Sequence, residues 1–246
     1  IGFKTADKLA KELQFADDHP YRIKAVILSC VLDLCMASGD TYTGLEQIQK
    51  RFRKEYDGSV DIDAYLEELQ MDRLIMMEDG RIYHHTQYDA QNGIASFLAG
   101  FPYRDAEEEI SFDPEDIELM EQKLHIRYEE KQKEAIATFF REPFLILTGG
   151  PGTGKTTIVK GILDLYQRYY PSDTIALCAP TGRAAKRLSE LSSTAATTIH
   201  SLLKWDLETN TFLVNDKEPI QADLLIIDEF SMVDQWLFYH LLRACR

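Results

Sequence analysis

The amino-acid sequence predicts an α/β fold: a parallel sheet with covering helices in the C-terminal part, preceded by a mostly helical region. Two observations carry this prediction. After residue 140, short continuous apolar runs alternate with helical patterns, as expected of strands buried on both faces of a parallel sheet. These runs are 144–147, 174–179 and 224–227. Before residue 100, apolar side chains instead recur at helical spacing, and only one hairpin pattern interrupts them.

The first part of the helical region is predicted over residues 1–40. Apolar spacing indicates one helix over 5–13, with Thr5 as its N-cap, and a second over 21–36. Cys30 and Cys35 stand five residues apart, on different faces of the second helix, so we expect neither a local disulfide nor a metal site there.

The second part is predicted over residues 41–100. Helical patterns cover 45–56 and 62–69, and the run 74–83 is typical of a β-hairpin with Asp79-Gly80 as its turn. Two helices followed by a hairpin are the outline of a winged helix. Such a fold either binds DNA or packs domains together, and the sequence leaves both readings open.

An acidic segment separates the helical region from the α/β part. Residues 101–116 contain two prolines and the run Asp105-Ala106-Glu107-Glu108-Glu109, so we expect a solvated linker. The α/β domain is then predicted over 117–246.

The charge balance limits how this protein can meet nucleic acid. The chain has 41 acidic and 27 basic side chains and a formal charge of −14. This argues against a protein that coats nucleic acid with its whole surface, but a local basic groove stays compatible with it. We see no signal peptide and no apolar run of membrane-spanning length, and we expect a cytoplasmic protein. Because the chain begins with Ile, we expect it to be a fragment of a longer protein.

A glycine-rich loop is the first motif that carries chemistry. Residues 149–156 read Gly-Gly-Pro-Gly-Thr-Gly-Lys-Thr, with an apolar run before them and a helical pattern after them. This order is typical of a phosphate-binding loop, in which backbone N–H groups and a helix N-terminus bind phosphate. We therefore predict that ATP binds here, with Mg²⁺ held by Thr156. The predicted nucleotide-binding residues of the loop are Gly150, Pro151, Gly152, Thr153, Gly154, Lys155, Thr156 and Thr157.

Three side chains outside the loop complete the predicted nucleotide site. The apolar run 224–227 ends in Asp228 and Glu229, at the strand end where open α/β sheets bind ligands. We assign Mg²⁺ binding to Asp228, and catalysis of ATP hydrolysis to Glu229, as general base, together with Lys155. The amide of Gln132, ahead of the loop, matches the N6/N7 edge of adenine, so we assign it to base recognition.

A second anion site is predicted after the run 174–179. Pro180, Thr181, Gly182 and Arg183 repeat the order of strand, turn and helix, and His200 lies in a polar cluster that opens another helix. A second anion site at the same edge of the sheet is what a polynucleotide backbone would use. Ordinary helix caps and solvated arginines are the alternative.

In this order the motifs resemble the RecD/TraA branch of superfamily-one DNA helicases, and its stand-alone RecD-like members most. The resemblance covers residues 128–234 and implies a RecA-like P-loop motor domain. It implies an ATPase centre of Lys155, Thr156, Asp228 and Glu229. It also implies 5′-to-3′ movement on single-stranded DNA and unwinding of tailed duplex DNA. The residues that it assigns to single-stranded DNA are Pro180, Thr181, Gly182, Arg183 and His200.

Further expectations come from the same resemblance. Residues 1–10 are similar to the second half of a helix-hairpin-helix, which implies DNA contacts at Gly2 and Lys4. A hairpin over 205–220 stands where the family has its strand-separating pin, although a purely structural hairpin is the alternative. The arginine fingers would belong to a second motor domain, so we expect this chain to bind nucleotide without unwinding DNA. Two other functions stay open: an ATPase that remodels protein partners, and a non-catalytic DNA-binding module.

Overall fold

In the computed structural model, residues 3–101 and 112–245 are described, and the chain divides into two compact units. Unit 1 spans residues 1–95 and unit 2 spans residues 96–246. The acidic run 105–109 of the predicted linker lies outside the described residues. None of the helices within the two described ranges is both long and apolar enough to cross a membrane.

Unit 1 is built from helices and one hairpin, in the order that the sequence predicts. The elements are α1 (Phe3–Glu12), α2 (Pro20–Ser38), α3 (Leu45–Glu55), α4 (Ile62–Met71), β1 (Ile75–Glu78), β2 (Arg81–His84) and α5 (His85–Ala99), which crosses the boundary between the units. The predicted N-cap at Thr5 is wrong, since α1 begins at Phe3 and Thr5 lies inside it. Phe3 packs against the core of the unit, which extends the helix toward the N-terminus.

The hairpin of unit 1 is determined by its turn. Asp79 and Gly80 have φ angles of +49° and +74°, the left-handed pair that a two-residue I′ turn requires. Thr43 adds an antiparallel bridge to Ile82 on the other side of β2. One core joins α2, α3, α4 and the hairpin. Its fully buried members include Ile27, Val31, Ile48, Leu69 and Ile75.

Unit 2 contains a parallel sheet covered by helices, which confirms the predicted α/β class. Its elements after α5 are α6 (Glu115–Leu124), α7 (Glu130–Arg141), α8 (Lys155–Tyr169), β3 (Ile175–Ala179), α9 (Gly182–Ser192), β4 (Ala196–Thr198), α10 (Ile199–Leu202), β5 (Trp205–Asp206), β6 (Thr211–Phe212), β7 (Leu224–Ile227) and α11 (Gln235–Arg243). The sheet has the order β4-β3-β7, and both pairings are parallel. β5 and β6 form a separate antiparallel hairpin.

Two predictions about the strands are wrong. Residues 144–147 form no strand, because none of the described strands pairs with this segment through backbone hydrogen bonds. Phe144 and Ile146 are accordingly 42% and 71% exposed. β7 was predicted to be buried on both faces, but all four of its residues are only half-buried, since β3 is its one strand neighbour among the described residues.

Candidate functional site

The glycine-rich loop 149–154 leads directly into α8, whose first residue is Lys155. Gly152 and Gly154 have φ angles of +73° and +81°, in the left-handed region where glycine is free of strain. Among the described residues, no group accepts a hydrogen bond from the backbone N–H groups of residues 150 and 152–154, and Pro151 has no N–H. These free donors stand at the positive end of the α8 dipole, so the loop is suited to bind an anion.

The ammonium group of Lys155 lies within this loop. Its Nζ donates to the carbonyl oxygens of Gly149 at 2.7 Å and Gly150 at 2.9 Å. The hydroxyl of Thr153 also donates to the Gly150 oxygen, at 2.9 Å. The predicted phosphate-binding cation is therefore positioned at the loop, while Thr156 lies half-buried and Thr157 exposed in the first turn of α8.

Gln132 lies beside the loop, and both ends of its amide have protein partners. Its Oε1 accepts from the N–H of Glu129 at 3.0 Å, which caps α7, and its Nε2 donates to the carbonyl oxygen of Thr153 at 3.0 Å. A Cβ at Gly154 would stand 2.6 Å from this Nε2. The structure thus couples the start of α7 to the loop, whereas base recognition by Gln132 stays a prediction, because it requires an exchange of these partners.

The segment before α7 contacts α8 through Tyr128. The Tyr128 hydroxyl donates to the carbonyl oxygen of Thr157 at 3.1 Å, and burial raises the pKa of Tyr128 to about 12. The Tyr128 N–H donates to Glu121, which also pairs with Lys133 at 3.3 Å. The bond from this N–H, followed by the Lys133 partner, lowers the pKa of Glu121. The sequence predictions gave Tyr128 no role, because its packing against Gly161 of α8 joins residues that are distant in the chain.

The two predicted carboxylates follow β7 directly. The Asp228 N–H donates to the Cys178 carbonyl oxygen at 2.9 Å, which continues the pairing with β3 by one residue. The Glu229 N–H donates to Asp228 Oδ1 at 2.9 Å. Glu229 has a φ of +52°, a left-handed conformation that is uncommon for a residue with a side chain and recurs at functional sites. Glu229 is exposed and Asp228 is half-buried.

The predicted second anion site begins where β3 ends. Thr181 is the N-cap of α9, and its Oγ1 accepts from the N–H of Ala184 at 3.2 Å. Pro180 is half-buried, whereas Gly182 and Arg183 are exposed. In the described part of the chain, the Arg183 guanidinium has neither a hydrogen-bond nor an ion-pair partner. Because β3 and β7 are neighbouring parallel strands, this turn and Asp228 lie at the same edge of the sheet.

His200 lies exposed on α10, next to a group of aromatic side chains. We call Trp205, Phe212, Trp236 and His240 the aromatic cluster. The His200 ring centre is 6.3 Å from that of Trp205 and 5.9 Å from that of Phe212. Burial lowers the pKa of His240 in this cluster. The sequence predictions missed the cluster, although Trp236 and His240 stand four residues apart on one face of α11.

The hairpin β5–β6 packs through Trp205 and Phe212 into this aromatic cluster, and Asp206 stabilises its turn. The Asp206 carboxylate accepts from the Glu208 N–H at 2.9 Å and from the Thr209 hydroxyl at 2.7 Å. Leu207 at the turn is 84% exposed. These contacts show a hairpin within the predicted range 205–220, and its role as a pin stays a prediction.

The predicted DNA contacts at the N-terminus have no described geometry. Gly2 lies outside the described residues. Lys4 belongs to α1, but its side chain is also outside the described part.

Comparisons with known proteins relate both ends of the chain to helicases. Residues 132–246 match the family described as AAA domain, and residues 1–42 match the family described as ATP-dependent RecD2 DNA helicase HHH domain. The chain is 30% identical to the ATP-dependent RecD2 DNA helicase of Deinococcus radiodurans, over 99% of this chain and 35% of that protein.

Two RecBCD enzyme subunits RecD are also similar. That of Haemophilus influenzae is 37% identical over 51% of this chain and 24% of its own length. That of Mycolicibacterium smegmatis is 36% identical over 48% of this chain and 25% of its own length. The chain therefore spans about a third or less of the length of these relatives.

Proposed function

Because the chain belongs to the RecD-like family of superfamily-one DNA helicases, we propose that it binds ATP at residues 149–157 and couples that site to single-stranded DNA. One observation carries the proposal: the glycine-rich loop at the N-terminus of α8 has free backbone N–H groups, and the Lys155 ammonium is held at the same loop by the carbonyl oxygens of Gly149 and Gly150.

The loop and the residues near it have different roles in binding and hydrolysing the triphosphate. The N–H groups of residues 150 and 152–154 bind phosphate oxygens, and Lys155 exchanges two carbonyl partners for the outer phosphates. Glu229 orients the attacking water and accepts its proton. Gln132 recognises the adenine edge once its amide releases Thr153.

The residues present also fit a magnesium ion. Thr156 follows Lys155 in the first turn of α8, and Asp228 ends the strand next to β3. Both offer the oxygen ligands that Mg²⁺ prefers, and they would hold it. When bound, Mg²⁺ neutralises phosphate charge and orients the leaving group.

Single-stranded DNA is the proposed second ligand of this edge of the sheet. Its phosphates contact Thr181, Gly182 and Arg183, with Pro180 shaping the turn, and His200 contacts DNA beside the aromatic cluster. Such contacts are independent of sequence and are weakened by salt. For the longer protein, we propose 5′-to-3′ movement, unwinding of tailed duplex DNA with the 205–220 hairpin as pin, and a cytoplasmic location.

A pair of lysines on α8 tests the ATP site. Lys155→Ala removes the cation of the loop, so we expect it to abolish Mg-ATP binding in isothermal titration calorimetry. Lys160→Ala is the matched control, because Lys160 is exposed on the same helix and has no hydrogen-bond or ion-pair partner among the described residues. Equal affinities for the two variants would contradict the proposal.

A further variant separates the three candidate functions. Glu229→Gln should keep Mg-ATP binding and lose hydrolysis, whereas a non-catalytic DNA-binding module would show no difference. Stimulation of ATP hydrolysis by single-stranded DNA distinguishes a DNA motor from an ATPase that remodels proteins. Both measurements are to be made on this chain and on the longer protein side by side.

A further inference from the structure

Helices α3 and α4 of unit 1 have exposed faces of opposite charge. The exposed face of α3 includes Lys50, Arg53 and Lys54. Acidic side chains predominate among the exposed residues at and around α4, where Ala64, Met71 and Arg73 are also exposed. The acidic ones are Asp61, Asp63, Glu67, Glu68 and Asp72. Both helices contribute their opposite faces to one core, so this separation of charge is built into the unit.

Several other cations of unit 1 are neutralised by close partners. Arg22 pairs with Asp7 at 2.7 Å, and Lys24 pairs with Asp72 at 2.9 Å and Glu68 at 3.0 Å. Even Arg51, on α3 itself, pairs with Asp33 at 3.2 Å and with Glu55 at 3.3 Å.

The three exposed cations of α3 differ from these. Lys50, Arg53 and Lys54 form no hydrogen bond or ion pair with any residue in the described ranges. The chain has 41 acidic side chains and a charge of −14, so carboxylates are abundant. Three neighbouring cations without one are a local positive surface on an acidic protein.

The geometry of α3 makes this surface continuous. Positions 50, 53 and 54 lie on one side of the helix, opposite the buried Ile48 and Phe52. The exposed Glu46 lies on this side as well, one turn before Lys50, so the three cations leave the face with a net positive charge. Lys50 and Lys54 are about 6 Å apart along the helix axis, so they lie one above the other on this side of α3. Arg53 and Lys54 are also in the last turn of α3, where the helix dipole stabilises cations. Lys50 lies before that turn, so the dipole does not account for its position.

We propose that the exposed face of α3, formed by Lys50, Arg53 and Lys54, binds the phosphate backbone of DNA. A helix–helix–hairpin unit of the usual kind would insert its later helix into the major groove. Here that helix is α4, and its carboxylates, together with Glu78 and Asp79 at the hairpin tip, repel phosphate. Unit 1 therefore contacts DNA through α3, by charge and without reading bases. This inference rests on the proposed function, from which the DNA ligand comes.

The test removes two charges from α3 and one from the neighbouring surface. Lys50→Gln and Lys54→Gln are made singly and together, and Arg73→Asn is the matched control. Arg73 is exposed directly after α4, without a partner among the described residues, and its φ of +58° suits asparagine. Fluorescence anisotropy with a labelled 5′-tailed duplex, titrated with the whole chain at a series of KCl concentrations, gives affinity and salt dependence.

We expect the double variant to bind the duplex about tenfold more weakly at low salt, with a salt slope smaller by about 2. Each single variant should lose about half of that slope change, and Arg73→Asn should lose none. The thermal unfolding temperature should stay as in the parent chain, because both lysines are exposed. The Mg-ATP affinity should also stay unchanged, because the lysines lie outside the proposed ATP site.

Other outcomes overturn the inference. An unchanged salt slope in the double variant removes α3 from the DNA surface. An equal loss in Arg73→Asn assigns the effect to net charge instead of to the α3 face. Polyglutamate serves as a second ligand in the same titration. If the double variant lost binding to polyglutamate but kept its affinity for DNA, the α3 face would bind an acidic protein partner instead. A chain that binds Mg-ATP but no duplex also overturns it, whereas a chain that binds duplex through α3 but no Mg-ATP overturns only the proposed ATP site.

Discussion

Among single residues, Gly161 shows how closely the helix behind the nucleotide loop is packed. A Cβ at this position would clash with the Tyr128 hydroxyl and would stand 3.1 Å from Met120 Cε. The Tyr128 hydroxyl cannot move freely, since it donates to Thr157. We expect Gly161→Ala to lower the free energy of unfolding by about 1 kcal/mol, because overpacking costs about 1–3 kcal/mol and the helix propensity of alanine returns about 1.

The same substitution in α9 is the control for Gly161→Ala. A Cβ at Gly182 would meet nothing within 4 Å, and Gly182 is the first residue of its helix. Gly182→Ala should leave the free energy of unfolding unchanged or raise it by up to about 1 kcal/mol. Urea unfolding of both variants, followed by circular dichroism, measures the difference. If Gly161→Ala proved as stable as Gly182→Ala, the tight contact with Tyr128 would be refuted.

At the level of the elements, the start of α9 combines a structural and a proposed functional role in Thr181. Its Oγ1 caps the helix by accepting from Ala184 N–H, while its hydroxyl hydrogen remains available to a phosphate. Thr181→Ala should therefore cost about 1 kcal/mol of stability through loss of the cap. Thr181→Asp keeps a capping oxygen, so its stability should stay near that of the parent, but its charge should weaken binding of single-stranded DNA about tenfold.

Thr181→Ser separates these effects, because serine both caps the helix and donates to phosphate. Its stability and its affinity for oligothymidylate should match those of the parent chain. Thermal unfolding and anisotropy titrations on the three variants give both quantities. Undiminished DNA affinity in Thr181→Asp would place the DNA path elsewhere.

The elements also show which parts of the fold and site were predictable from the sequence. The loop before α8 and the Asp79-Gly80 turn were predicted correctly, because glycine and turn residues determine local φ angles wherever the chain goes. The strand over 144–147 was not, since pairing depends on a neighbour distant in sequence. β4 escaped notice because three residues are too few to show a period. For Gln132, the pattern predicted adenine recognition and gave no sign of its bond to Thr153.

For the whole molecule, the division into two units predicts that a ligand stabilises them unequally. Mg-ATP at a hundred times its dissociation constant should stabilise the unit that binds it by about 2.7 kcal/mol. Amides of buried residues in unit 2, such as Ile136 and Ile158, should then exchange more slowly, and those of Ile27 and Ile48 in unit 1 should not change. Hydrogen exchange with mass spectrometry measures both.

Two controls make this comparison decisive. In Lys155→Ala the ligand should protect neither unit, which excludes an effect of ATP on exchange chemistry. Equal protection of both units in the parent chain would mean that they unfold as one cooperative body, contrary to the division observed in the fold.

The aromatic cluster at the foot of the β5–β6 hairpin also makes the chain its own optical reporter. The sequence has two tryptophans, and both Trp205 and Trp236 belong to this cluster, with ring centres 5.8 Å apart. Burial lowers the pKa of His240, whose ring centre is 4.4 Å from that of Trp236, and so favours the neutral imidazole beside this indole. Intrinsic emission excited at the indole band therefore reports on the packing of this hairpin against α11, without any attached dye.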